Sequence, residues 1–418
     1  MFKKSQIYNF LFVSFFAIFF QFIPIGLETQ PLLPLIGSLV LLFSGYDLAP
    51  HIVKKDLVVL YILLLVLLLY AFGSILFYKS PQPIIEFVKY LIGPILFLAM
   101  RISNFQISFG VLKKVVYIFL FFALLNFLFP SLYILLFKFF IPRFEDSIAD
   151  GARGINILTP EPSYFSIFQL ILLLSIEKGL SENFNGDKLR IKQLKLLKYI
   201  VIFISLLTKS ALVIVIALIF LLPNSFKIKL SKRVLAMLIV IPVLVVLISV
   251  FYSENRLFQI VGLIFDLLKD SSFDITAFLF TQEASTGTRI ILNFIAISSI
   301  FFTPFGSGLG SFSNVLFDYA KNFGWDLRDH PVIGMGSSKI YPSTYFANLC
   351  NDIGIFSLLL FPVIFLNNDN TDKGFKLKKV LCLLFLLLFQ SQITSPAFWF
   401  LIAIWKTRPN NFIDFNNC

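Results

Sequence analysis

Four residues have the types and placement to do chemistry: Arg153, Glu161, Lys209 and Arg289. The first two sit in the loop Gly151-Ala-Arg-Gly-Ile-Asn-Ile-Leu-Thr-Pro-Glu-Pro-Ser163, which runs straight into the apolar stretch Tyr164–Ile176. Charge at the mouth of a membrane helix is costly and seldom incidental. Cations that converge without matching carboxylates suit a polyanion, and near a membrane a pyrophosphate is the obvious one. Arginine offers it a planar fork of donors and lysine a compact charge. Each cation has a plainer reading, in which it snorkels to the interface or, for Arg153, is a simple surface residue. Glu161, flanked by Pro160 and Pro162, has one too, as a carboxylate that favours the start of the next helix.

The elements that must carry these residues are membrane helices. Of 418 residues, 58% are hydrophobic and 14% charged, with a mean hydropathy of +0.88, more apolar surface than a soluble domain needs. Spans are expected near 7–25, 31–46, 57–77, 84–100, 114–130, 162–177, 196–208, 210–222, 233–252, 343–366, 380–395 and 396–405. The fold class is therefore all-α: a polytopic integral membrane protein of about 12 helices. Residues 1–418 form a single membrane domain, with a first outer loop at 131–161 and a large outer loop at 253–342. Met1-Phe-Lys-Lys resembles the start of a signal peptide, but no small-residue cleavage site follows, so the first helix is read as retained.

Alternating from a cytoplasmic N-terminus places most of the 35 basic residues in inner segments, as the positive-inside rule requires. Both termini are then cytoplasmic. The same rule accounts for the net charge of +12 and weakens a nucleic-acid reading. Segments 196–208 and 210–222 are each too short to cross about 30 Å of hydrocarbon comfortably. A hairpin of short helices with Thr208-Lys209-Ser210 at its tip keeps both lysine-rich flanks inside. Lys209 would then be an intramembrane cation facing outward, among helices that tolerate irregular backbone. In the large outer loop, Ser253–Lys269 is amphipathic at helical spacing, and 290–302 suits an interfacial helix better than a thirteenth span.

Other features point to structure before chemistry. Pro304-Phe-Gly-Ser-Gly-Leu-Gly310 lacks the preceding strand and spacing of a nucleotide cradle and suits a tight turn. His330 is of a type that serves as acid or base, although an exposed loop histidine is the commoner case. Glu86 and Lys89, three apart in one span, suit mutual neutralisation. No metal-ligand spacing occurs, no cofactor is expected, and Cys350, Cys382 and Cys418 imply no disulfide framework.

Arg153 with Thr159-Pro-Glu-Pro-Ser163, Thr208-Lys-Ser210 in a broken span, Gly287-Thr-Arg289, the Pro304–Gly310 turn and Ser343-Thr-Tyr-Phe-Ala-Asn-Leu-Cys-Asn-Asp-Ile-Gly354 occur in that order. Over about 150–360 this order resembles the O-antigen polymerase (Wzy-type) branch of the O-antigen polymerase and ligase family. The resemblance implies a metal-independent glycosyltransferase of the bacterial inner membrane. A growing glycan on undecaprenyl pyrophosphate would pass to a lipid-linked acceptor repeat, with membrane lipid as surroundings and room for a chain-length regulator as partner. It also implies that Arg153, Lys209 and Arg289 hold the pyrophosphate, with Arg289 stabilising charge on the leaving group. Glu161 would orient or deprotonate the acceptor hydroxyl. Lys209 departs from the arginine often found there.

Ligases of this group carry a histidine about eleven residues before the glycine that is Gly354 here. Ser343 stands in that place, which favours polymerase, unless His330 reaches the site through its loop. A flippase for lipid-linked sugars would also want intramembrane cations and a broken helix. The chain shows no similarity between its halves, and its long outer loop suits processing better than alternating access.

Overall fold

The computed structural model describes residues 3–22, 29–44, 55–79, 81–103, 105–141, 154–182, 188–221, 284–330, 333–334, 340–366, 378, 380–384, 386 and 393–406. Among these the chain is helical and has no strand. The helices are α1 (Lys4–Ser14), α2 (Leu32–Phe43), α3 (Lys55–Tyr78), α4 (Gln82–Ser103), α5 (Phe109–Leu128), α6 (Pro130–Phe137) and α7 (Phe165–Glu182). They continue with α8 (Lys188–Leu207), α9 (Ala211–Leu221), α10 (Ala284–Phe302), α11 (Phe312–Lys321), α12 (Tyr345–Ile353), α13 (Leu360–Phe365) and α14 (Ala397–Lys406).

Five described segments are long and apolar enough to cross a membrane: Lys55–Phe77, Gln82–Ser103, Phe109–Leu128, Pro162–Ser181 and Tyr345–Phe365. The chain is thus a helical protein of membrane-embedding character. The span expected at 233–252 and the amphipathic run 253–269 lie outside the described residues, and 380–395 lies only partly within them. Tyr345–Phe365 is not one straight helix. Gly354 takes φ +58° after α12, and six 3₁₀ residues, Gly354–Leu359, redirect the chain into α13.

Phenylalanine supplies much of the seam between helices. Phe15 from the turn after α1 lies 4.7 Å from Phe400 of α14, and Phe16 lies 5.2 Å from both Phe119 of α5 and Phe168 of α7. The edge-on geometry of several of these pairs is the arrangement that ring quadrupoles favour. At Gly93 of α4 the indole of Trp399 comes so close that a β-carbon would stand 1.9 Å from the ring.

One end of the bundle is tied by buried charge. Asp56 at the start of α3 accepts from Arg101 at the end of α4 (3.4 Å) and from Lys406 at the end of α14 (3.3 Å). Glu177 of α7 accepts from Lys198 of α8 (2.5 Å) and from Lys378 (3.2 Å), while Lys178 donates to the Ile404 carbonyl (3.1 Å). Among the described residues each carboxylate meets two cationic groups. The excess charge is met by carbonyls near helix C-termini, those of Lys406, Leu366, Ile404 and Phe220, where the helix dipole is negative.

These ties fix the course of α8 and α9. Lys198 meets Glu177, and Lys378 joins that same carboxylate to the Phe220 carbonyl at 3.3 Å. The lower part of α8 and the far end of α9 therefore lie at one level, and the two helices form a hairpin whose tip is Thr208-Lys209-Ser210. The first arm is longer than its apolar stretch suggests. It runs over 20 residues from Lys188, because its basic first half is helical and not a loop.

Candidate functional site

The loop from Gly154 to Tyr164 docks on the hairpin tip. Gly154 has φ +77° and lies against the Thr208 carbonyl, and Ile155 N–H donates to the Leu207 carbonyl (3.4 Å). Further along, Asn126 of α5 donates to the Asn156 carbonyl (2.6 Å), and the Tyr133 hydroxyl of α6 accepts from Leu158 N–H (2.9 Å). Asn156 reaches the Pro160 carbonyl (3.2 Å) and Thr159 the Glu161 carbonyl (2.9 Å). Leu158 and Lys209 both hold positive φ, +55° and +49°, a conformation most side chains avoid and one that surrounding contacts must sustain. The Gln169 amide of α7 donates to the Val213 carbonyl of α9 (3.0 Å), one turn beyond the tip.

On this platform Glu161 meets Arg289. Nη2 of Arg289 stands 3.5 Å from Oε2 of Glu161, with the two side chains 30% and 23% exposed. The guanidinium also lies 5.9 Å from the Tyr164 ring centroid, within cation–π range. Glu161 occupies the position before the 3₁₀ turn Pro162–Tyr164, yet its side chain makes no capping bond. At this position the carboxylate still faces the positive end of a helix, and it also meets an arginine from a distant helix. Lys209 is half-buried at the tip beside Gly154. The structure thus brings together Glu161, Arg289 and the segment bearing Lys209. Arg153 lies outside the described residues.

A second polar group adjoins this one. Glu86 of α4 is buried, accepts from Lys89 (2.7 Å) and Gln82 (2.7 Å), and sits beneath Gly310. Glu86 and Lys89 do neutralise each other. Asp352 of α12 accepts from the Tyr90 hydroxyl (2.9 Å) and from Asn351 (2.9 Å), whose carbonyl and side-chain oxygens both take the Ser307 hydroxyl at 3.0 Å. Tyr341 lies under the Lys89 ammonium at 5.6 Å. Burial, and then the carboxylates of Glu86 and Asp352, push its phenol up to about 12, so it stays a proton donor. Asn293 and Ser343 join the two groups through paired bonds of 2.8 Å, side chain to hydroxyl and amide to side chain. Asn293 lies one turn after Arg289, on the same face of α10.

Ser343 accordingly clamps α10 to the start of α12. His330 is not the exposed loop histidine expected: it is buried, and its Nδ1 accepts from Ile333 N–H at 3.3 Å. The Pro304–Gly310 segment is a turn, with Gly306, Gly308 and Gly310 all at positive φ. Among the described residues no group of histidine, cysteine and carboxylate side chains could hold a metal. Asn293, Tyr341 and Asp352 were not singled out by sequence. An intramembrane carboxylate was the available signal for Asp352, which follows Asn351 at the end of α12.

No protein-family profile, curated protein or solved structure matches the chain.

Proposed function

We propose that the chain is a membrane glycosyltransferase that polymerises lipid-linked oligosaccharide repeats at the outer face of the bacterial inner membrane. The observation that carries this reading is the pairing of Arg289 with Glu161, on the loop whose Gly154 docks on the Lys209 hairpin tip. It puts a carboxylate and two cations within one structural unit, at the end of the bundle opposite the buried Asp56 and Glu177 networks. In this reading that opposite end, rich in lysine and arginine, faces the cytoplasm along with both termini.

The donor is a growing glycan on undecaprenyl pyrophosphate, and the acceptor is one lipid-linked repeat. Glu161 orients the acceptor hydroxyl and takes its proton. That oxygen attacks the anomeric carbon, the bond from carbon to the pyrophosphate oxygen breaks, and the pyrophosphate leaves with both electrons. Arg289, Lys209 and Arg153 stabilise the charge that develops on it. In the ground state Arg289 rests on Glu161. An incoming pyrophosphate competes for the guanidinium, which releases the carboxylate for the acceptor.

Deletion of the gene and complementation with the wild-type chain test this reading. Surface lipid capped with single repeats in the deletion strain, restored to a long ladder by the wild type, supports it. Loss of capped lipid altogether points to a ligase, and retention of glycan in the cytoplasm points to a flippase; either outcome overturns it.

A further inference from the structure

Counting along the helices at ~1.5 Å per residue, Tyr70 stands about 21 Å from Asp56, Glu86 about 22 Å from Arg101 and Glu161 about 24 Å from Glu177. The three share one height above the buried charge layer. Helix α10 meets that height at both ends: Arg289 pairs with Glu161, and the Phe305 carbonyl accepts from the Tyr70 hydroxyl. It therefore runs across the bundle. Helix α12 runs beside it in the same direction, since Asn293 meets Ser343 and Ser299 meets the Cys350 carbonyl.

The turn that follows α10 packs against α3 and α4 about one turn short of their ends, and against the segment that follows α12. Leu309 N–H donates to Ser74 of α3 (3.1 Å), Gly310 covers Glu86 of α4, and Ile355 N–H at the end of α12 donates to the Pro304 carbonyl (2.8 Å). Tyr70 is about 12 Å along the axis from the far end of α3 at Tyr78. Every N–H from Gly306 to Leu309 has a protein partner, namely Thr303, Asn351, Asp352 and Ser74. A loop in water needs no such completeness, whereas a loop at membrane depth does, because lipid offers no hydrogen bonds. The side chains on the outer side of this turn are apolar and bare. Phe301 is 83% exposed and Phe305 is 69% exposed, and Phe72 and Leu76 of α3, the helix whose Tyr70 bonds Phe305, are exposed as well.

We propose that Pro304–Gly310 is a re-entrant turn lying within the outer leaflet, and that Phe301 and Phe305 rest in lipid hydrocarbon. The partner of this surface is the acyl region of the bilayer, and α10 runs across the bundle at the same height as the turn. The inference stands apart from the enzymatic reading: its depth rests on packing, hydrogen bonding and exposure, and its leaflet on the lysine- and arginine-rich end facing the cytoplasm.

Spin labels on Phe305→Cys and Lys321→Cys in nanodiscs test it, with the labelled wild-type chain as blank. At position 305, collisions with oxygen are expected to exceed those with a water-soluble nickel chelate by about threefold or more, and at Lys321 the order is reversed. Chelate collisions at 305 equal to those at 321 overturn the proposal. The unmodified chain gives an independent measurement, with phospholipids that carry a photoreactive group on the acyl chain. Adducts on 301–305 and none on 317–321 support it, and adducts absent from 301–305 overturn it.

Discussion

Gly154 is pressed against the Thr208 carbonyl so closely that a β-carbon there would stand 2.2 Å from the oxygen. This contact docks the loop that carries Glu161 onto the hairpin tip that carries Lys209. Two independent constraints act at one residue, because φ is also +77°. Gly154→Ala is expected to cost about 1–3 kcal/mol from the backbone alone, and more from the clash. At matched membrane levels its surface polysaccharide should fall well below wild type. A full ladder from this variant would show that the loop does not need the tip.

The Glu161–Arg289 pair should matter to activity far more than to stability. Both side chains retain solvent contact, so the ion pair contributes at most about 1 kcal/mol. Arg289→Lys keeps the charge and loses the planar fork, and it is expected to unfold within a few degrees of wild type yet make little polymer. Thermal unfolding in detergent, set beside polymer yield, checks both halves of this statement.

At the other end, Asp56 is fully buried between Arg101 and Lys406. Asp56→Asn removes the carboxylate charge that, among the described residues, Arg101 and Lys406 share. The loss should be about 3–5 kcal/mol, the penalty for breaking a buried charge network. Low protein yield and a sharply reduced unfolding temperature are the expected readouts, and an unchanged temperature would contradict the account.

His330 gives a pH signature. Burial holds its imidazole below the usual pKa of 6.5, so the folded chain binds this proton less readily than the unfolded chain. The unfolded state then binds more protons below about pH 6.5, and stability falls as pH drops through that value. His330→Asn should flatten the unfolding temperature between about pH 7 and pH 5 relative to wild type.

The residues of the site were legible in sequence, but their partners were not. Lys209 could be placed at a hairpin tip because lysine-rich flanks on both sides of a short apolar pair restrict where its ends can go. Glu161 and Arg289 each stood out as charge beside apolar helices. Their pairing, across more than a hundred residues of chain, left no trace in local pattern. The full length of α8 is not legible, because Lys188–Lys198 has a polar composition, whereas its lysines are helical and one of them reaches Glu177. The burial of His330 is hidden for a related reason, since nothing in Arg328-Asp-His-Pro signals it. Of about 12 expected spans, those at 57–77, 84–100, 114–130 and 162–177 coincide with long apolar helices, while 343–366 is broken at Gly354. Hydropathy reports composition and cannot see a positive φ.

The central claim is that Arg289 stabilises a departing pyrophosphate. It is tested most directly with purified protein in liposomes supplied with undecaprenyl-pyrophosphate-linked repeat units. Wild type should produce a ladder of lipid-linked polymer and free undecaprenyl pyrophosphate in step with it. Arg289→Ala, folded and inserted to the same level, should produce neither above about one-hundredth of the wild-type rate. A variant that makes polymer at the wild-type rate would contradict the account and remove Arg289 from the site.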